Sequence, residues 1–471
     1  MLAAMPPTPP SPPEAGEPRI RDRGDACPGA LRLHAAADGF LARLRLPAGR
    51  LTPRQLMVLA DAAEELGDGG LSITSRGNAE LRGLAEGCGG RLAALLDDAG
   101  LLPSRTHERV RNIVASPASG LDGLGHADAQ LWARALDAAL CAEPRAAALS
   151  GRFLFVLDDG RGDVTGLGGD VSLVAAPHGA TLLTAGSAAF RLPPADAPAA
   201  QNPTTTDPAA GPATTTPGAP TAGPATTAGP GASAASAARD AGPASSAGPA
   251  SAAARAATAA LACALAFLDA ADAAGTGAWR PRELPPGHVP EWAGALARAG
   301  ITAEPVPLSS SPSGPPPAPG PLGDRALHVL APLGRLTAGG LRALGEGADE
   351  VRLTPWRGAV VVGATAARLP ALAALGLITG PADPRTGVTA CTGTPGCAKS
   401  LADVRADAAR APGGPLPVHY SGCERRCGHP HGDRIEVTAR DSGTYLLDGA
   451  PVPRTALAEA VAAARTRSNE S

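Results

Sequence analysis

The chain has 471 residues, too many for one ordinary hydrophobic core, so two or more domains are expected. Hydrophobic residues make up 44% of it but aromatics only 2%, which predicts cores built from Leu, Val and Ala. A net charge of −3 excludes any general attraction to nucleic acid or an anionic membrane and confines anion recognition to local clusters.

Residues 1–25 lie in the proline-rich arm "MLAAMPPTPPSPPEAGEPRIRDRG", which has no apolar core and reads as neither signal peptide nor membrane span. The expected compartment is therefore the cytoplasm, where thiols serve metal or redox chemistry in preference to disulfides. Residues 26–100 begin with the alternating strand pattern "FLARLRL" and pass through Gly49-Arg50-Leu51-Thr52 into a helix. They end in the strands around "SITSRGNAEL". Thr52 is placed to cap that helix, with Pro53 in its first turn. Residues 101–192 add the helix "DAQLWARALDAALCA" and the strands "RFLFVLDDG" and "DVSLVAAP". Residues 193–254 are almost wholly Ala, Pro, Thr, Gly and Ser. That composition cannot bury enough apolar surface to offset chain entropy, so a disordered linker is expected.

Next comes the most apolar stretch, "AAARAATAALACALAFLDAAD", whose alanines, Arg255 and acids predict a soluble helix and not a bilayer span. Residues 308–321, "LSSSPSGPPPAPGP", read as a loop. Within 255–384 the earlier pattern returns: the strand "ALHVLAPL", then Gly334-Arg335-Leu336-Thr337, a helix capped by Thr337, and a strand followed by Arg357 where the first copy has Arg76. The shared tetrapeptide and the shared order behind it point to a duplication. The unit predicts an α+β fold with helices on one face of a sheet. Residues 385–471 form a last module with strands "RIEVTAR" and "GTYLLDG" and the helix "TALAEAVAAAR". It is the counterpart of 101–192 and alone carries a cysteine group.

Four of the eight cysteines belong to that group, Cys391 and Cys397 in "CTGTPGCAKS" and Cys423 and Cys427 in "YSGCERRCGHP". The second pair is spaced i, i+4, so on a helical turn both thiols share a face. Gly393, Gly396, Gly422 and Gly428 crowd the group and allow backbone amides to approach sulfur closely. Four thiolates around one centre fit a tetrahedral zinc or a [4Fe–4S] cluster. The wide first gap suits the larger body. Lys399, the only lysine in the chain, stands two residues past Cys397, where a solvated position at a helix start is the simpler reading. In "HPHGD", His429, His431 and Asp433 alternate, so on an extended strand they would share a face. Two histidines and a carboxylate are the ligand set of non-haem iron oxygenases, although a polar turn explains the same residues. His419 is a further candidate.

"CTGTPGCAKS" with "HYSGCERRCGHP" resembles the cluster-binding signature of the sirohaem-dependent sulfite and nitrite reductase superfamily, and the duplicated halves resemble its repeated units. The resemblance covers nearly all of the chain outside the arm and the linker. It implies ferredoxin-like half-domains at 26–100 and 255–384 and two nitrite/sulfite-reductase-type cluster-domain modules at 101–192 and 385–471, related by a pseudo-two-fold repeat. It also implies a [4Fe–4S] cluster on Cys391, Cys397, Cys423 and Cys427. "HYSGC", "CGHP", "RLTPWRG" and the short spacer are most similar to the branch that converts precorrin-3A to precorrin-3B in aerobic cobalamin biosynthesis. That reaction is a C20 hydroxylation with γ-lactone closure that uses O2. Electrons would come from an external ferredoxin or an NAD(P)H-dependent reductase, and non-haem iron would suit the oxygen chemistry because a four-cysteine cluster is coordinatively saturated.

By the same resemblance "SITSRGNAEL", "ERVRNIVASP" and "SGRFLFVLDD" match basic segments that bind the tetrapyrrole and anion, and point to Arg76, Arg111 and Arg152 as carboxylate-binding residues. Leu154 stands where the reductases have a second lysine, which favours a large carboxylated substrate over a small oxyanion. Arg82, Arg357, Arg425 and Arg426 are weaker candidates. Two other readings stay open: a sulfite or nitrite reductase that binds sirohaem, and a non-enzymatic zinc-binding protein. Neither nucleic acid nor membrane is expected as a partner.

Overall fold

The computed structural model describes residues 28–194, 248–308, 312–430 and 432–466. The arm expected at 1–25, His431 and most of the expected linker lie outside the described residues. The linker stretch ends earlier than its composition suggests, because a helix already begins at Pro249.

The first half runs β1 (His34–Ala36), β2 (Gly39–Leu44), β3 (Arg50–Leu51), α1 (Pro53–Leu66), β4 (Gly70–Ile73), β5 (Ala79–Leu84) and α2 (Gly89–Asp98). A module follows with β6 (Ile113–Ala115), α3 (Ala129–Ala142), β7 (Phe155–Asp158), β8 (Val171–Ala175), β9 (Thr181–Ala185), β10 (Ala188–Leu192), α4 (Pro249–Ala274), α5 (Trp292–Arg298) and β11 (Glu304–Val306). The second half has β12 (Gly320–Pro321), β13 (Ala326–Leu330), β14 (Arg335–Thr337), α6 (Ala338–Gly345), β15 (Glu350–Leu353), β16 (Gly358–Val362) and α7 (Leu369–Ala374). The last module has β17 (Val388–Ala390), α8 (Val404–Ala408), β18 (Val418–Ser421), β19 (Ile435–Ala439), β20 (Thr444–Leu447), β21 (Ala450–Pro453) and α9 (Leu457–Arg465).

Both Gly-Arg-Leu-Thr copies do more than start a helix. Thr52 accepts the Gln55 N–H in a reciprocal capping box, and Thr337 accepts the Gly340 N–H. The residues just before each cap cross over. β3 pairs antiparallel with β15 of the second half, and β14 pairs antiparallel with β4 of the first. The sheets therefore read β1-β2-β5-β4-β14 and β12-β13-β16-β15-β3, each closed at one edge by a strand of the other half. Each exchanged arginine finds an acid across the seam, Arg50 pairing with Glu350 and Arg335 with Asp68. Leu51 and Leu336 are buried in a single core fed by both halves. The turn before each copy places Ala48 or Leu333 at positive φ, followed by a glycine. A Cβ on Gly49 would collide with the Leu353 carbonyl of the opposite half, so only glycine permits that approach.

The two modules share a topology. β6, β7 and β8 are mutually parallel and continue antiparallel into β9 and β10; β17, β18 and β19 are mutually parallel and continue antiparallel into β20 and β21. Residues 255–306 pack with the first module, contrary to their expected place in the second half-domain. β11 extends its sheet beyond β10, and α4 and α5 join its core with α3. The sequence misleads here because a long alanine-rich helix carries no mark of which sheet it covers. α4 is apolar and long enough by composition to cross a membrane, yet more than half of that stretch is buried within the protein.

The residue that follows the first strand of each module is the clearest register mark. In the last module Cys391 follows β17, and its sulfur accepts the Gly422 N–H at 3.1 Å. In the first module Ser116 follows β6, and its hydroxyl accepts the Asp159 N–H at 3.2 Å while donating to Asp163 at 2.7 Å. Asp163 is buried, and its Oδ2 has no hydrogen-bond partner among the described residues. Burial first, and then the carboxylates of Asp158 and Asp159, push its carboxyl up to about 7 against the opposing hydrogen bond from Ser116.

Leu336→Ala removes a fully buried side chain from an exchanged strand and is expected to cost about 2–5 kcal/mol, read as a lowered midpoint in chemical denaturation. Asp163 holds its proton more tightly in the folded than in the unfolded chain. Its contribution is therefore neutral well below the unfolded value of 3.8 and increasingly unfavourable as pH rises through about 7. Asp163→Asn is expected to gain on wild type with rising pH, by on the order of 2–4 kcal/mol between about pH 4 and pH 8. A pH-independent difference in denaturation midpoints would contradict this.

Candidate functional site

The cysteines sit on two loops that leave the parallel strands β17 and β18 at the same end. The Cys391 N–H donates to Tyr420 O and the Leu401 N–H to Gly422 O, which stitches the loops together. A Cβ on Gly422 would overlap Ser400, and one on Gly428 would strike the Arg357 guanidinium. The second pair lies on a turn, not a helix, with the Arg426 N–H donating to Cys423 O. Desolvation, and then Cys391, Cys423 and Cys397 as neighbours, push the Cys427 thiol up, so the four thiols form one electrostatic group.

Their spacing bears on what they can hold. A tetrahedral zinc with bonds near 2.3 Å needs its sulfurs within roughly 4 Å of one another. No group of three or more His, Cys, Asp or Glu among the described residues is spaced for a single metal ion. The backbone N–H aimed at the Cys391 sulfur is a contact that the thiolate ligands of iron–sulfur bodies accept.

Beside the cysteines opens a cavity of about 660 Å³, walled by β4 and β5 of the first half, the first module at Gly151 and Arg152, residues 279–283, and the cysteine loops at Cys391 and Cys427. Eight arginines line it against two glutamates. Arg43 is neutralised by Glu80. Burial pushes the Glu80 carboxyl up, but Arg43 and Arg82 outweigh it and hold the group below the usual carboxylate range. Arg45 is buried and donates to Arg109 O and Gly151 O, both at 3.1 Å. Arg357, at positive φ, donates to Ala390 O at 3.0 Å and to Gly428 O. Arg405, on α8, donates to Leu333 O. Neither Arg357 nor Arg405 makes an ion pair with a carboxylate among the described residues. Burial and then Arg405 push Arg357 down to about 10. Two like charges lining one cavity with Cys391 disfavour each other, and an anion there would relieve them.

Of the residues singled out from sequence, Arg76 and Arg152 line this cavity, with the Arg76 Nη1 donating to Arg152 O at 3.5 Å. Arg357 lines it too. Arg82 lies just behind, donating to Asp38, Glu80 and Gly396 O, so it ties the first half to the cysteine loop. Arg111 does not reach the cavity: it is buried in a two-pronged pair with Asp137, at 2.6 and 2.7 Å. Leu154 belongs to a small core with Val114, Val156 and Val164, so its apolar character reflects packing and says nothing about the cavity's charge. Arg425 and Lys399 are exposed, and Arg426 pairs with Glu436.

His429, Pro430, Gly432 and Asp433 do not lie on a strand, since β19 starts only at Ile435, and His431 is outside the described residues. His429 packs edge-on against His419, with centroids 6.5 Å apart, whereas Asp433 lines a separate cavity with Arg426 and Glu436. The described residues therefore do not bring a histidine–carboxylate set together. His419 is buried, shares a 2.9 Å contact with Thr389 and is pushed down to about 3 by burial, Arg357 and His429, which keeps it neutral. Sequence reading missed Arg45, Arg405 and the stretch Trp279–Glu283. One of only four tryptophans, followed closely by Arg280 and Arg282, was the signal available for that stretch.

Residues 33–97 match the nitrite/sulfite reductase ferredoxin-like half domain. Over most of its length the chain also shares a fold with the NirA protein of Mycobacterium tuberculosis, with a TM-score of 0.62 at 16% identity, covering 94% of this chain and 83% of that one. The half domain is thus shown for residues 33–97, and over the rest of the chain the likeness is one of fold. Among curated proteins it is 42% identical over 77 residues to the precorrin-3B synthase of Sinorhizobium sp., which is 16% of this chain and 17% of that protein. It is 39% identical over 85 residues to the ferredoxin–nitrite reductase of Leptolyngbya laminosa, 18% of this chain and 17% of the relative. These matches span about a sixth of each relative's length.

Cys427→Ser is expected to remove the broad brown absorbance and the reduced-state electron paramagnetic resonance signal of anaerobically purified protein while leaving far-UV circular dichroism intact. Cys88→Ser, remote from the group on the first half, should keep both signals. A brown Cys427→Ser protein would refute the ligand set.

Proposed function

We propose that the chain is an oxidoreductase of the precorrin-3B synthase kind, acting on a carboxylated tetrapyrrole beside a [4Fe–4S] cluster held by Cys391, Cys397, Cys423 and Cys427. The observation that carries the reading is a single cavity lined both by two of these cysteines and by eight arginines. A guanidinium presents a planar fork that matches a carboxylate, and a macrocycle edged with carboxylates calls for several such forks fixed at different heights. Arg45 and Arg357 are pinned through backbone carbonyls, so they are oriented before substrate arrives. The match to a precorrin-3B synthase supports precorrin-3A as substrate. The overall change would place one oxygen atom of O2 on C20, close the γ-lactone and release the other as water. An external ferredoxin or reductase would supply the electrons. The cluster, when bound, supplies single-electron transfer.

The matches to ferredoxin–nitrite reductases support a second reading, in which the same cavity holds sirohaem and the substrate is a small oxyanion. One assay separates the two. Anaerobically purified protein is given precorrin-3A, an electron donor and isotopically heavy O2. A product heavier by one labelled oxygen is expected. An unchanged tetrapyrrole together with turnover of nitrite or sulfite would favour the second reading and sink the first.

A further inference from the structure

Residues 279–283 enter the cavity from the stretch between α4 and β11, a strand with no counterpart in the five-stranded sheet of the last module. Their arrangement divides anchor from contact. Arg280 is buried, with Nε 2.8 Å from both Asp170 oxygens and a further donor on Gly168 O, so it fastens the segment to the first module. Glu283 accepts the Trp279 backbone N–H at 2.8 Å and closes the turn. With the turn held, the Trp279 ring lies under the Arg152 guanidinium, 4.7 Å from carbon to ring centroid. Arg282, two residues past the anchor, is exposed, lines the same cavity and makes no hydrogen bond or ion pair among the described residues.

We propose that this segment selects the substrate, with Trp279 under Arg152 as a flat platform for the macrocycle and Arg282 as the receptor for one peripheral carboxylate. The inference rests on the carboxylated-tetrapyrrole reading of the cavity and adds to it the residues that discriminate. An indole capped by a guanidinium offers a rigid, partly cationic surface suited to an extended π-system. Arg280, already saturated, contributes position and no ligand contact. The division predicts two separable effects: loss of the platform weakens any macrocycle, and loss of Arg282 weakens only carboxylate-rich ones.

The full-length protein is titrated with uroporphyrin, rich in peripheral carboxylates, and with mesoporphyrin, poor in them, following the porphyrin absorbance. Arg282→Ala is expected to weaken uroporphyrin binding about tenfold, the loss of one charge-assisted contact, and to leave mesoporphyrin binding within about twofold. Arg282→Lys should recover only part, because an ammonium lacks the two-pronged fork. Trp279→Ala should weaken both porphyrins by a similar factor, about tenfold. An unchanged cluster spectrum in each variant separates these effects from loss of fold. If wild type binds both porphyrins and the variants match it, the assignment of this segment is overturned while the tetrapyrrole reading stands. If wild type binds neither porphyrin, the tetrapyrrole reading fails and takes this inference with it.

Discussion

Two short strands hold the molecule together. β3 and β14 are two and three residues long, too short to be stable alone, yet each supplies the missing edge of the other half's sheet. Backbone pairing, the crossed ion pairs Arg50–Glu350 and Arg335–Asp68, and the shared burial of Leu51 and Leu336 all act at this seam. Neither half has a complete sheet or a complete core without its partner.

The cavity is a consequence of the same architecture. Its walls come from the first half, both modules and a segment beyond α4, so no local stretch of chain contains it. Three of its cations donate to backbone carbonyls: Arg45 to Arg109 and Gly151, Arg357 to Ala390 and Gly428, Arg405 to Leu333. A carbonyl fixes a guanidinium without cancelling its charge, whereas a carboxylate would neutralise it. Arginine, with donors on three nitrogens, can be held at one and offer the others, which a lysine cannot do.

Local chemistry was readable from the sequence, and partnership was not. Thr52 and Thr337 as helix caps, the cysteine spacing, the glycine next to sulfur and the duplicated order of elements each depend on residues a few positions apart. The destination of β3 and β14 depends on a partner almost three hundred residues away, and the Gly-Arg-Leu-Thr copies mark the event without naming it. Arg111 looked like a site residue because its neighbours fit a segment, but Asp137 on α3 takes its guanidinium. Leu154 looked like a lost cation because its segment resembles one with a second lysine there, but it packs in a small core with Val114, Val156 and Val164. Arg405 and Trp279 went unnoticed because each reaches the cavity from an element whose own sequence shows only helix or turn.

The Ser116–Cys391 correspondence separates what the duplicated frame fixes from what it leaves free. One backbone N–H meets a hydroxyl in one module and a sulfur in the other, in the same socket of the same fold. The frame requires both copies of the sheet and both exchanged strands, so deletion of either copy is closed to it. The sockets are under no such symmetry. The one at Cys391 lies among four thiols, whereas the one at Ser116 holds the poorly satisfied carboxyl of Asp163. One duplicated frame thus presents two different acceptors, a sulfur and a hydroxyl, to the same backbone donor.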